Sequence, residues 1–199
     1  MHATFVSLIV FTLGCCTLWQ ATDGLSALTT EGARRLQVAS APADLPDLFL
    51  EDMGGGEITL GEPSDGVTFA EFIYTTCPTI CVQAGEEMAQ LRQRLVEDGL
   101  EEQVRLLSIS FDPINDDPKA MAAYGELHDA DGLIWTIARP DPNDLAIMLE
   151  SFGVQVIPDD FGGYEHNAAL HLIDRSGRLR GIFDIDDIEG AASAAGELR

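Results

Sequence analysis

The stretch Phe69-Ala70-Glu71-Phe72-Ile73-Tyr74-Thr75-Thr76-Cys77-Pro78-Thr79-Ile80-Cys81 constrains this chain more than any other. An apolar, β-branched and aromatic run stops at two cysteines spaced four apart, and a helical pattern follows. Apolar residues then recur at Ala84, Met88, Leu91 and Leu95, the spacing of one buried helix stripe, and Gly99 ends the pattern. A strand that delivers thiols to the start of a helix puts them where the helix dipole favours thiolate. Such a pair can be a redox couple, a set of metal ligands or a structural staple.

The remaining segments alternate in the same way. Val104 to Ser110 is a second buried strand, running into Phe111-Asp112-Pro113 and Asp116-Asp117-Pro118. There Asp117 caps and Pro118 opens a helix to about His128. Leu133 to Ala138 reads as a strand, and Asp141-Pro142 opens a helix to about Phe152. Upstream, Leu45 to Leu50 and Glu57 to Leu60 read as short strands around Gly54-Gly55-Gly56. Downstream, Gly153 to Glu165 reads as a loop. Ala168 to Ile173 and Arg178 to Phe183 form a hairpin about Asp174-Arg175-Ser176-Gly177, and Asp187 to Leu198 is a last helix. This order predicts an α/β fold whose central sheet is covered by helices on both faces.

With 199 residues and 46% apolar content, the chain supports one domain with a substantial core. Lys and Arg total 11 against 34 Asp and Glu, a net charge of −23, which suits a solubility or salt-tolerance surface. That field repels nucleic acid and anionic membrane surfaces, so neither is an expected partner of the folded part. The first 22 residues hold no Asp, Glu, Lys or Arg, and Ala3 to Ala21 reads as an export signal or a single anchoring helix. Residues 1–22 are thus a leader, 23–43 a linker and 44–199 the folded domain, placed outside the cytoplasm and touching membrane only through the leader. Cys15 and Cys16 fall in the leader, leaving Cys77 and Cys81 as the thiols of the folded domain. In an oxidising compartment that pair is expected to form a disulfide unless it is reduced or metallated.

Positions i and i+4 share one helix face about 6 Å apart along the axis, close enough for a disulfide or for both sulfurs to meet one ion. Two thiolates suit Cu(I), and an added imidazole accommodates Cu(II). A structural zinc site asks for four protein ligands. Of the histidines beyond the leader, His128 ends a predicted helix and reads as a surface residue. His171 alternates with Leu170 and Leu172 in a strand and reads as packing. His166 follows a glycine-bearing loop and precedes a strand of the central sheet, where site residues gather near a switch point. Asp112, Asp159 and Asp160 are candidates for orienting His166 or attracting a cation, against capping or solvated roles.

With these residues in view, the chain resembles the Sco/SenC family of copper-binding, thioredoxin-like proteins from about Leu45 to Phe183. Phe72 to Cys81 is similar to the family's strand and CxxxC site. Ser108 to Pro113 with Asp117-Pro118 is similar to its second signature, with Tyr124 beyond. His166 ahead of Leu172 to Leu179 is similar to its distal histidine and hairpin. The resemblance implies a thioredoxin-like fold with a central mixed sheet, and copper, Cu(I) or Cu(II), held by Cys77, Cys81 and His166. It also implies an exported or membrane-tethered protein that delivers copper to, or reduces the cysteines of, the binuclear copper site of cytochrome c oxidase. Partners would be that copper-site subunit or another copper protein, with an upstream thiol reductase. Val82, Glu165 and Asn167 depart from the family's usual proline, aspartate and threonine or serine, and bear on partner recognition.

The rival reading is an extracytoplasmic thioredoxin-like thiol–disulfide reductase with Cys77 and Cys81 as its catalytic redox pair. Such enzymes usually carry CxxC, often after tryptophan, and a cis-proline directly before the strand facing the cysteines. Here the spacing is one longer, Thr76 precedes Cys77, and His166-Asn167 precedes the strand. A peroxiredoxin fits less well, because Tyr74 stands where a threonine would polarise the peroxide. For a copper protein, binding depends on pH because the ligands must lose protons, and only the reduced pair can load.

Overall fold

The computed structural model describes residues 2–22, 29–77, 80–160 and 163–198, with the backbone alone for 2–5, 8, 9, 21 and 80–82. It divides into two compact units, Met1–Ala41 and Pro42–Arg199. The first holds helix α1 (His2–Ala21) and helix α2 (Thr30–Ser40). Val6, Val10, Phe11, Leu18 and Trp19 are all exposed on α1. Among the described residues, no helix is long and apolar enough to cross a membrane. Helix α2 lies within the segment expected to be a linker. Thr29 caps it by accepting from the Gly32 N–H at 2.9 Å, and Glu31 pairs with Arg34 and Arg35 at 2.9 and 3.0 Å. The helix is mostly polar, with Val38 its buried residue, and that shortage of core residues is why the segment reads as a linker.

The second unit is built on a sheet. Its strands are β1 (Ala43–Asp44), β2 (Leu48–Asp52), β3 (Glu57–Leu60), β4 (Val67–Ile73), β5 (Val104–Ser110), β6 (Trp135–Pro140), β9 (Leu170–Ile173) and β10 (Arg178–Phe183). They run β1-β10-β9-β4-β5-β6-β2-β3 across the sheet. β4, β5 and β6 are parallel, while β9 joins β4 antiparallel, so the sheet is mixed and its sense changes at β4. A separate two-stranded sheet pairs β7 (Val156–Pro158) with β8 (Tyr164–His166). The helices are α3 (Ile80–Glu97), α4 (Pro118–Leu127), α5 (Leu145–Phe152) and α6 (Ile188–Leu198).

The parallel strands are buried along most of their length because both faces are covered. On one face His128, at the end of α4, packs against Trp135 of β6, with α3 closing over the imidazole. A Cβ at Gly85 of α3 would lie 2.5 Å from that ring, so glycine is what lets the helix approach. On the other face, Phe152 of α5 sets its ring edge against Phe72 and His171. Helix α6 packs against α3. The expected α3 stripe is buried at Ala84, Met88, Leu91 and Leu95. Asp117 caps α4 as its sequence predicts, accepting from the Ala120 N–H at 2.8 Å.

Several placements differ from the sequence reading. β6 begins at Trp135 because the Asp131 carboxylate takes the N–H groups of Leu133, Ile134 and Trp135 into a turn. α5 begins at Leu145 because Asp141 holds the Asn143 N–H at 2.8 Å in a preceding turn. Gly153 to Glu165 is not plain loop but contains β7 and the start of β8. His166 therefore lies within β8, not directly before a strand of the main sheet. His128 is buried at 7% exposure, not on the surface, whereas His171 is packed as expected.

Candidate metal centre

The central strand delivers its chemistry at a turn. Beyond Ile73, the buried Tyr74 accepts a hydrogen bond on its carbonyl from the Cys77 N–H at 3.2 Å. Cys77 is itself buried, with 6% of its surface exposed. Thr75 is fixed between them by a carboxylate from the next loop. Its N–H donates to Asp116 Oδ2 at 3.0 Å and its hydroxyl to Oδ1 at 2.6 Å. The Ser110 hydroxyl, at the end of β5, donates to the same Oδ2 at 2.5 Å. Cys81 stands in the first turn of α3, and its side chain lies outside the described residues.

His166 comes to this end of the sheet on the β7–β8 hairpin. Val156 is its cross-strand partner. Asn167 pins the base, its Oδ1 accepting from the Gln155 N–H at 2.6 Å and its Nδ2 donating to the Gly153 carbonyl at 3.1 Å. At the tip, Asp159 Oδ1 accepts from the Gly163 N–H at 2.7 Å. The hairpin meets the thiol strand through aromatic rings. Phe111, just beyond β5, sets its ring 5.0 Å from His166, 5.3 Å from Tyr74 and 5.6 Å from Tyr164. Tyr74 and Tyr164 meet edge-on at 5.2 Å. One apolar cluster thus joins the residue that leads into Cys77 to the strand that carries His166.

Both ring nitrogens of His166 are buried and have no hydrogen-bond partner among the described residues. Burial holds its imidazole below the ordinary range, so the neutral, ligating form prevails at pH 7. Ring nitrogens shielded from water are usually hydrogen-bonded, and a metal bond would supply the missing partner here. Asp112 and Asp159 do not hydrogen-bond it. Asp112 instead accepts from the Asn115 side chain at 2.9 Å. Among the described residues no group of three or more His, Cys, Asp or Glu side chains forms a metal cluster. Of the expected donor set, Cys77 lies at the end of the central strand and His166 on the hairpin packed against it, while Cys81 is placed by backbone only.

Sequence reasoning misses Asp116 and the Tyr74–Phe111–Tyr164 cluster. The aromatic letters are visible in the chain, but their meeting depends on a hairpin that reads as a loop. Asp116 reads as part of a helix start, and its partner Thr75 lies far upstream.

The SCO1/SenC family model matches residues 47–198. Over 74 residues the chain is 32% identical to the SCO1 protein homolog of Bacillus subtilis, covering 37% of this chain and 37% of that protein. A SCO1/SenC family lipoprotein from Bacillus anthracis superposes with a TM-score of 0.72 at 22% identity, over 79% of this chain and 97% of that one. Bradyrhizobium japonicum ScoI, solved with copper bound, gives 0.66 at 26% identity, over 79% of this chain and 100% of that one. The fold is thus the thioredoxin-like α/β fold with a central mixed sheet.

Proposed function

Because the chain belongs to the SCO1/SenC family, we propose that it binds copper through Cys77, Cys81 and His166 and passes it to a copper protein. The copper-site subunit of cytochrome c oxidase is the recipient this reading favours, and reduction of that site's cysteines is the companion activity. The observation that carries the proposal is the half-buried His166, whose two buried ring nitrogens have no hydrogen-bond partner among the described residues, on a hairpin packed against the strand end that leads into Cys77. The two thiolates would hold Cu(I), and the imidazole would complete a set that also accepts Cu(II). Oxidation of the pair to a disulfide removes both sulfur donors, so an upstream reductant sets when the protein can load. Export, with the apolar leader as signal or anchor and 23–43 as spacer, places the centre in an extracytoplasmic compartment.

Copper titration of the reduced full-length chain, in a Cys15→Ser/Cys16→Ser background, tests this. One copper per chain is expected, and none at comparable affinity after Cys77→Ser/Cys81→Ser. Unchanged binding in that variant would sink the proposal. Turnover of a target disulfide by metal-free protein, without copper binding, would favour the reductase reading.

A further inference from the structure

Asp116 is a carboxylate with almost no access to water, at 1% exposure. Burying such a group is costly unless donors surround it. Here they do, and they come from two separate segments. Thr75 supplies a backbone N–H and a hydroxyl, and Ser110 supplies a second hydroxyl. The Ser110 oxygen is used twice, since it also accepts from the Asp112 N–H at 3.0 Å. The segment that presents the carboxylate is fixed in turn. Arg139 of β6 donates to the Pro113 carbonyl at 2.9 Å and the Asp116 carbonyl at 3.3 Å. The same guanidinium forks onto Glu51 of β2 at 2.6 and 2.9 Å.

A hydrogen-bonded path therefore runs from the β2–β6 side of the sheet to Thr75, two residues before Cys77. The Thr75 N–H has left the β4 ladder, so without the carboxylate it would be an orphaned backbone donor. Neighbouring Thr76 is exposed, so the lock falls on Thr75 alone of the two threonines.

We propose that Asp116 is the positioning residue of the thiol turn, its carboxylate holding Thr75 so that Cys77 is kept buried in one orientation. The inference rests on the reading of Cys77 as a working thiol, but it concerns how that thiol is held, not what it binds. Removing the acceptor lets the Thr75–Cys77 turn open while the sheet beneath persists. Asparagine is nearly isosteric with aspartate but replaces one acceptor oxygen by a donor, which cannot serve the donors on that side.

The test is site-resolved alkylation of Cys77 in the reduced, metal-free full-length chain, read by peptide mass, beside thermal melting of each variant. Asp116→Asn is expected to speed Cys77 alkylation about tenfold, the effect of one lost hydrogen bond to a charged group. Thr75→Ser keeps both donors and is expected to react like wild type. Thr75→Val loses only the hydroxyl and is expected to fall between them. If Asp116→Asn does not fold, the Thr75 pair decides alone. Equal rates in Thr75→Val, Thr75→Ser and wild type would overturn the assignment, as would Asp116→Asn within twofold of wild type. Since no copper is present, failure here is separate from failure of the copper reading. A chain that binds no copper yet shows this order of rates keeps the positioning role and loses only the proposed function.

Discussion

The two sides of the candidate centre are held by different means. The thiol side is the end of a central strand, locked to the next loop by a buried carboxylate and its three donors. The histidine side is a hairpin with its own short ladder, pinned at base and tip by Asn167 and Asp159. It meets the strand end through ring edges and a hydrogen bond of 3.4 Å from the Tyr164 N–H to the Tyr74 hydroxyl. Hydrogen bonds to a charged group fix direction, whereas aromatic edges mainly fix distance. The cysteines thus belong to the frame, and the histidine sits on an attached arm.

The comparison is broken most severely at Phe111, the ring shared by both sides. Phe111→Ala is expected to cost about 4 kcal/mol in chemical denaturation, the usual penalty for emptying a buried aromatic site. Cu(II) affinity should fall with it, while Cu(I) binding by the thiols is less affected. Equal losses of the two would mean the arm and the frame are not separable.

A second large effect lies inside the frame. Glu71 of β4 is fully buried, and its Oε1 accepts from the Ser108 hydroxyl at 2.6 Å while Oε2 has no partner among the described residues. The Trp135 indole donates to the same Ser108 oxygen at 2.9 Å. Burial pushes the carboxyl up to about 7 from an ordinary 4.5, against the opposing pull of the Ser108 hydrogen bond. The folded state therefore keeps a proton that the unfolded chain has lost. Its stabilising contribution is complete below about pH 4.5 and is lost as pH rises through about 7. About 3 kcal/mol should disappear across that window, because each tenfold change in proton affinity is worth roughly 1.4 kcal/mol. Glu71→Gln should flatten the decline in denaturation curves taken from pH 5 to 8; an unchanged slope would contradict the assignment.

The arm responds to pH in the opposite sense. Burial lowers His166, so its contribution is complete above the ordinary 6.5 and is lost as pH falls through the lowered folded value. His128, lowered for the same reason, adds to this loss. NMR titration of ring protons should show both midpoints below 6.5, with His166→Ala removing one of them. A midpoint for His166 at that value would show the ring to be solvated, and one above it would show it to be ion-paired.

The smallest effect is expected at Arg139, whose fork to Glu51 is partly exposed. Arg139→Gln should cost about 1 kcal/mol and speed Cys77 alkylation less than Asp116→Asn does. A larger effect than Asp116→Asn would place the lock in the guanidinium instead.

The frame is far more legible in sequence than the arm. β4 and β5 are rich in apolar and β-branched residues, and the Asp117-Pro118 cap acts within one turn of chain. The arm is made of two three-residue strands, too short to show alternation, in a stretch punctuated by Pro158 and Gly163. His166 stands out by its chemical type, while the support beneath it cannot be read. The misplaced residues share a cause in distance along the chain. His128 is buried because Gly85 leaves room for it, and Asp116 is an anchor because Thr75 reaches it across 41 residues. Neither fact leaves a mark beside the residue concerned.

The most direct test of a centre assembled from frame and arm is the electron paramagnetic resonance spectrum of the Cu(II)-loaded chain in the Cys15→Ser/Cys16→Ser background. Nitrogen coupling from one imidazole is expected, present in wild type and in His171→Gln, and absent in His166→Ala. Coupling that persists unchanged in His166→Ala would contradict the account.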